Sequence, residues 1–149
     1  MCQDISQSEK DQAGRDTPAS SVPSHDHHPT VLIAEDSEDA RLMLKYLLEM
    51  SGYRVLEAAN GLEAVRAARH FKPDLILMDL SMPLLDGLTA TIRIREYADL
   101  RHVPILAVSG YDTSHHRDGA LSAGCDEFIT KPVDSDKLEE LLARLLNKR

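Results

Sequence analysis

From Thr30 onward the chain alternates short apolar runs with amphipathic stretches, and this alternation limits the fold more than any other feature. The apolar runs lie at residues 31–34, 54–57, 75–78, 105–108 and 127–129. The first, third and fourth are apolar on both faces, as central parallel strands covered by helices should be, and the second alternates like an edge strand. Five such units predict an α/β fold with a doubly wound parallel sheet and helices on both faces.

Helical spacing marks the segments between the runs. The first and last segments carry apolar stripes expected to face the sheet, formed by Ala40, Met43, Leu44, Leu47 and Leu48, and by Leu138, Leu141, Leu142, Leu145 and Leu146. A shorter helix, with its stripe at Ala64, Val65, Ala68 and Phe71, is expected between an N-cap at Asn60 and Pro73, with Glu63 completing a capping box. Weaker patterns at 88–97 and 113–123 bring the predicted helices to five.

Composition narrows the functional classes. The 149 residues fit one domain, and no apolar run reaches the roughly 18 residues that a membrane-spanning helix needs. A net charge of -8 argues against binding to nucleic acid or to an anionic membrane. Cys2 and Cys125 are too few for a disulfide framework, and the first residues lack the pattern of a secretory signal. We therefore expect a cytoplasmic protein.

The first 29 residues differ in composition from the rest. Gln, Ser, Asp, Pro and His dominate there, so we expect a disordered tail at 1–29 and a single domain at 30–149. His25, His27 and His28 could bind a metal ion, although a solvated linker is the simpler interpretation.

Polar residues follow four of the five apolar runs. They are Glu35, Asp36, Asp79, Ser109, Thr130 and Lys131. Because the carboxyl ends of parallel strands share one edge of the sheet, three carboxylates, a hydroxyl and an ammonium should converge there. Each pair of carboxylates about 4 Å apart would repel by about 4 kcal/mol at an effective dielectric near 20. Oxygen ligands without His or Cys favour Mg²⁺, which commonly serves phosphate chemistry. The alternative is that these acids merely cap helices.

Other nucleotide and hydrolase motifs do not occur. The sequence contains neither a dinucleotide-binding nor a P-loop glycine motif, and no G-x-S-x-G elbow. No histidine follows a strand, so the sequence assigns none of the seven a role in the site.

Four motifs in order carry a resemblance to a known family. They are Glu35-Asp36, the run from Met78 to Gly87, Val108-Ser109-Gly110 and Phe128-Ile129-Thr130-Lys131-Pro132. Over Thr30 to Arg149 the chain resembles the receiver domain of two-component response regulators. The resemblance implies a flavodoxin-like sheet of order 2-1-3-4-5 flanked by five helices. Gly87 is expected to supply a turn conformation before the third helix.

The resemblance also implies a phosphorylation site. Asp79 would accept a phosphoryl group from a phosphohistidine of a histidine kinase or phosphotransfer protein. Asp36, Asp79 and the main-chain carbonyl of Ser81 would hold Mg²⁺, with Mn²⁺ as a substitute, and Glu35 would act through water. Lys131 would pair with the phosphoryl oxygens.

A second group of residues would convert phosphorylation into a signal. By resemblance, the Ser109 hydroxyl would donate to the phosphoryl group and Phe128 would be the switch aromatic. Ser81 and Tyr111 occupy the positions that tune phosphate lifetime. The Lys131–Pro132 bond matches a position that is usually cis in the family.

The expected function is a phosphorylation-activated signalling switch rather than an enzyme, one that assists only its own phosphorylation and dephosphorylation. Output would pass through the fourth helix, fifth strand and fifth helix, residues 112–146, to a downstream protein or a homodimer. A stand-alone receiver is expected because the chain ends after the last helix. A phosphorelay intermediate, a phosphate sink and a fragment of a larger regulator or hybrid kinase stay open.

Two rival functions have less support. A receiver-like domain that binds partners without phosphorylation would not need the intact set of charged residues. An aspartyl-phosphate hydrolase would need a second Asp two residues after the nucleophile, where this chain has Ser81.

Overall fold

The sheet has the architecture that the alternating runs predict. The computed structural model describes residues 28–111 and 113–147, so all of the expected tail except its last two residues, and with it His25 and His27, lies outside the described part. The strands are β1 (Thr30–Ala34), β2 (Arg54–Ala58), β3 (Leu75–Asp79), β4 (Ile105–Ser109) and β5 (Glu127–Thr130). They pair in parallel in the order β2-β1-β3-β4-β5, which confirms the expected sheet and its strand order.

The connections between strands are helical. They are α1 (Glu38–Met50), α2 (Gly61–Phe71), α3 (Gly87–Arg95) with a 3-10 turn at Ala98–Leu100, α4 (Ser114–Ala123) and, after the last strand, α5 (Ser135–Asn147). The first four helices begin where a polar side chain accepts a hydrogen bond from the amide three residues later, at Ser37, Asn60, Asp86 and Thr113. Across these two stretches of chain, no helix has the length and hydropathy to cross a bilayer.

Two apolar layers cover the sheet. On one face α1 and α5 pack leucines against the strands, including Leu44, Leu48, Leu138 and Leu142. On the other face α2, α3 and α4 contribute small side chains, including Ala64, Ala68, Ala90 and Ala120. Small residues let these helices approach the strands closely, and the strands of the sheet centre are completely buried as a result.

The predicted apolar stripe of α1 is partly wrong. Leu44 and Leu48 are buried, but Met43 is 61% exposed. Adjacent helical residues point about 100° apart, and α1 lies over the sheet with Leu44, rather than Met43, turned toward it. A second group of apolar side chains lies on the outer surface of this helix, formed by Leu42, Met43, Tyr46 and Met50. Phe71 of the α2 stripe is likewise more than half exposed.

Gly87 serves a purpose other than the expected one. Positive φ angles occur at Gly52 and Gly124 among the described glycines, and Gly87 is not one of them. It begins α3, where an added Cβ would lie 2.2 Å from the main-chain oxygen of Asp79. The position therefore requires the absence of a side chain, so that α3 can start against the end of β3.

We expect Gly87→Ala to destabilise the fold by at least about 2 kcal/mol, because the new methyl group overlaps main-chain atoms that cannot move independently. Gly119→Ala is the matched control, since a Cβ at this helical position meets nothing within 4 Å. It should raise the free energy of unfolding by about 0.5–1 kcal/mol through helix propensity. Urea unfolding followed by circular dichroism measures both, and equal stabilities would contradict the close approach.

Candidate functional site

Acidic side chains from two strand ends meet at the carboxyl edge of the sheet. Glu35 and Asp36 follow β1, and Asp79 is the last residue of β3. Carboxylate oxygens of the three residues lie within 4.8 Å of one another. Glu35 and Asp79 are only 2% and 3% exposed, whereas Asp36 faces solvent. The carboxylates of Glu35 and Asp79 are therefore poorly solvated, and Asp36 lies where the cluster opens to solvent.

Lys131, which follows β5, is the resident cation of this cluster. Its Nζ lies 3.2 Å from Glu35 Oε1 and 3.2 Å from Asp79 Oδ2. Burial by itself would lower the pKa of Lys131, but attraction and hydrogen bonding to Asp79 and Glu35 outweigh burial and leave the pKa raised. The lysine therefore stays charged, and it bridges the ends of β1 and β3 from the far side of β4.

Main-chain amides orient the polar side chains of the site. The Ser37 amide donates to Glu35 Oε2 at 3.0 Å, and the Ser81 amide donates to Asp79 Oδ1 at 3.0 Å. At the end of β4, the buried Ser109 Oγ accepts from the amide of Tyr111 at 3.1 Å. Each amide lies two residues after the side chain it contacts, so the turns that leave the strands also fix the rotamers of the site.

The donor set fits a hard divalent cation. All three acidic ligands are oxygens, and Lys131 offsets one of their negative charges. Mg²⁺ is bound in proteins through one or two carboxylates with several waters, and the solvent-facing Asp36 leaves an approach for such an ion. The acidic cluster therefore suggests magnesium binding at this edge of the sheet.

The two aromatic residues that the sequence singles out both contact α4. Phe128 is buried in the core, and the Arg117 guanidinium lies 4.8 Å from the centroid of its ring. Tyr111 is 60% exposed, and its ring stacks on His116 with centroids 5.0 Å apart. The rings thus lie beside the helix that follows β4, while the carboxylates and Lys131 form the centre of the site. The Lys131–Pro132 bond is cis.

Sequence reasoning missed three residues around the site. Arg41 donates to the main-chain oxygen of Glu35 at 2.8 Å and pairs with Glu57 at 3.1 Å. Arg117 covers Phe128, and His116, which was assigned no role, contacts Tyr111. Arg41 could have been found, because it lies one helical turn after the Ser37 cap. The contacts of Arg117 and His116 depend on how α4 packs over β5, and no local sequence pattern predicts that packing.

Comparison with known proteins finds the same family that the four strand-end motifs of the sequence resemble. Residues 31–143 match the family model of the response regulator receiver domain. The polar-differentiation response regulator DivK of Brucella anthropi is 35% identical over 117 residues, which cover 78% of this chain and 95% of that protein. The DivK protein of Brucella ovis is 34% identical over the same shares of the two chains.

Solved structures support the same similarity. The receiver domain of the sensor histidine kinase PA1611 from Pseudomonas aeruginosa, crystallised with a magnesium ion in its active-site cleft, is 34% identical with a TM-score of 0.76. The match covers 80% of this chain and 98% of that one. The chemotaxis response regulator CheY4 of Vibrio cholerae is 27% identical with a TM-score of 0.76, over 79% and 98% of the two chains. The expected family and its flavodoxin-like fold are confirmed.

We expect millimolar MgCl₂ to raise the free energy of unfolding by about 1–3 kcal/mol relative to EDTA, because an ion that binds only the folded cluster stabilises it by mass action. Asp36→Asn should remove most of this increment by deleting a carboxylate ligand. Asp118→Asn, an exposed acid on α4, is the control and should keep it. Urea titrations in the two buffers measure the increment. Identical midpoints for the unsubstituted protein would argue against a magnesium site.

Proposed function

This chain belongs to the family of response regulator receiver domains, and from that premise we propose that it is a signalling switch operated by phosphorylation of Asp79. The observation that carries the proposal is the buried Asp79 carboxylate, which pairs with Lys131 beside two further acids. The Ser81 amide and the Lys131 ammonium orient this carboxylate at the carboxyl edge of the sheet, where a phosphoryl donor would approach it.

Asp79 would act as the nucleophile. A carboxylate oxygen forms a bond to phosphorus while the bond from phosphorus to the donor's imidazole nitrogen breaks, which gives an acyl phosphate and frees the histidine. The Ser81 amide on Oδ1 and the Lys131 ammonium on Oδ2 hold the carboxylate in place. Lys131 then stays within reach of the phosphoryl oxygens, whose spread negative charge it offsets.

Three groups would hold Mg²⁺, or Mn²⁺ in its place: the carboxylates of Asp36 and Asp79 and the main-chain carbonyl of Ser81. Glu35 would act through water. The bound ion supplies positive charge that offsets both the acids and the phosphoryl oxygens. This chain's own contribution is the poorly solvated cluster, in which Glu35 and Asp79 are fixed in advance by amides and by Lys131.

Phosphorylation would add roughly one to two negative charges at Asp79. The Ser109 oxygen already accepts from the Tyr111 amide, so its own proton is available for a phosphoryl oxygen. A shift of Ser109 would move the segment that leads into α4. Phe128, whose ring is covered by Arg117, would then repack as the switch aromatic. Ser81 and Tyr111 would tune how long the phosphate survives.

Output would pass through the face of α4, β5 and α5. A groove of about 310 Å³ lies there, and Arg117, Phe128, Lys137 and Arg144 are among the residues lining it. We assign this face to a downstream protein or to a second copy of the chain. The phosphoryl donor, a histidine kinase or phosphotransfer protein, would reach Asp79 from the opposite side, where α1 begins beside Asp36 and carries exposed apolar side chains.

Several uses of one switch remain alternatives within this proposal. A stand-alone receiver, a phosphorelay intermediate, a phosphate sink and a part of a larger regulator or hybrid kinase share the same chemistry. The relatives include a response regulator and a receiver domain of a sensor histidine kinase. In each use the chain would work in the cytoplasm as a phosphoacceptor rather than as an enzyme on other molecules, and Ser81 stands where a hydrolase needs its general acid.

Incubation with Mg²⁺ and acetyl phosphate or phosphoramidate is expected to add one phosphate, detected by mass spectrometry of the intact chain. Asp79→Asn should abolish the addition, because an amide is too weak a nucleophile to attack phosphorus.

Asp86→Asn is the matched control for this experiment. It makes the same chemical change at the far end of the loop that follows Asp79, and Asn can replace Asp as the N-cap of α3. Uptake at another residue, or unchanged uptake in the Asp79 variant, would refute the assignment.

Ser109→Ala should still take up phosphate, since Asp79 and Lys131 remain, but it should transmit the change poorly. We expect phosphorylation to alter amide hydrogen exchange across α4 in the unsubstituted protein and to alter it much less in this variant. Ser122→Ala, an exposed serine within α4, provides the control. A full exchange response in Ser109→Ala would remove the hydroxyl from the mechanism.

A further inference from the structure

A cationic cleft lies away from the carboxylate cluster, between the second half of α2 and the 3-10 turn that follows α3. Its volume is about 410 Å³, and it is lined by Arg66, Arg69, His70, Lys72, Tyr97 and Asp99. Lys72 lies in the connection from α2 to β3, at the amino ends of the strands. Asp79 ends the same strand, so the cleft and the carboxylate site occupy opposite edges of the sheet.

The charge of the cleft opposes that of the chain. The chain carries a net charge of -8, yet three of the six lining residues are permanent cations and only Asp99 is acidic. The carboxyl end of α2 adds about half a negative charge, which favours cations there but is too small to cancel them. Lys72 Nζ also donates to the main-chain oxygen of Arg69 at 3.1 Å, which partly satisfies that helix end. A local positive excess therefore remains.

The side chains of the cleft are arranged to receive a ligand. The Arg69 guanidinium lies 4.4 Å from the centroid of the Tyr97 ring, a stack that holds its plane while leaving its donors available. The Arg66 side chain makes no hydrogen bond or ion pair within residues 28–111 and 113–147. Lys72 pairs with Asp99 at 3.1 Å, but both side chains are more than half exposed, so an anionic ligand can displace this weak pair.

The direction in which the pKa of Asp99 is shifted agrees with a positive electrostatic potential in the cleft. The hydrogen bond from Lys72 holds the pKa of Asp99 below its usual value, and the nearby charge of Arg69 contributes in the same direction. A second acid entering the cleft would experience the same attraction, since Arg66 and Arg69 remain without a carboxylate partner.

We propose that this cleft binds linked phosphates, as carried by a nucleoside triphosphate or by inorganic polyphosphate. Planar guanidinium groups bind phosphate oxygens through paired hydrogen bonds, and several cations in a row match an anion with several charges. The volume lies within the range of small-molecule sites. The Arg69–Tyr97 stack provides a flat surface against which a nucleobase can lie, whereas polyphosphate would use only the cations.

Calorimetric titration of the full chain in EDTA, with ATP, tripolyphosphate and adenosine as separate probes, tests this site. Saturable binding of ATP and tripolyphosphate without binding of adenosine is expected. Tighter binding of ATP identifies a nucleotide as the ligand, and equal binding identifies the phosphate chain alone. Absence of saturable binding by both phosphate compounds would overturn the proposal.

Variants locate the binding. Arg66→Gln/Arg69→Gln should weaken affinity by about tenfold or more, because two charge-assisted contacts are lost. Lys45→Gln/Arg54→Gln removes the same charge outside the cleft and should change affinity little. Asp79→Asn should bind as the unsubstituted protein does, which separates this proposal from the phosphorylation site. Equal losses in the two double variants, or a loss in Asp79→Asn, would contradict a ligand in the cleft.

Discussion

The mutual repulsion of Glu35, Asp36 and Asp79 is the constraint on which the rest of the structure depends. At separations within 4.8 Å, each pair of charges repels by about 3–4 kcal/mol at an effective dielectric near 20. Lys131 and two main-chain amides offset part of this energy and fix where the acids point. What remains uncompensated is an affinity for positive charge, and the sheet is the rigid support that prevents the acids from moving apart.

The convergence of the residues at the strand ends could be predicted from the sequence, because it follows from the topology of a parallel sheet. Parallel strands end at a common edge, so Glu35, Asp79, Ser109 and Lys131 could be placed together before any contact was known. The N-caps were equally local: Asn60 and Glu63 carry their signal within three residues, although Glu63 reaches the amide of Ala59 rather than that of the cap itself.

Features that depend on how elements approach one another could not be predicted in the same way. The spacing of Met43 and Leu44 fits an apolar stripe, but only the position of α1 over the sheet decides which of the two is buried. Gly87 was expected to bend the chain, whereas it is needed because α3 starts against the Asp79 main chain. The cationic cleft is lined by residues of α2 and by residues that follow α3. These are distant in sequence, so no short stretch of the chain contains all of them.

Of the five described helices, α4 has the fewest buried residues, and under the proposed function it is the helix that would respond most readily to a change at Asp79. Ala120 is its one buried residue among those described, whereas α5 buries four leucines. Two connections lead to it from the site: Ser109 through the Tyr111 amide and the Tyr111 ring to His116, and β5 through Phe128 to Arg117. Few buried contacts mean a small free energy for local displacement. A helix with so few buried residues, connected to the site through both β4 and β5, can move while the sheet that holds the acids stays in place.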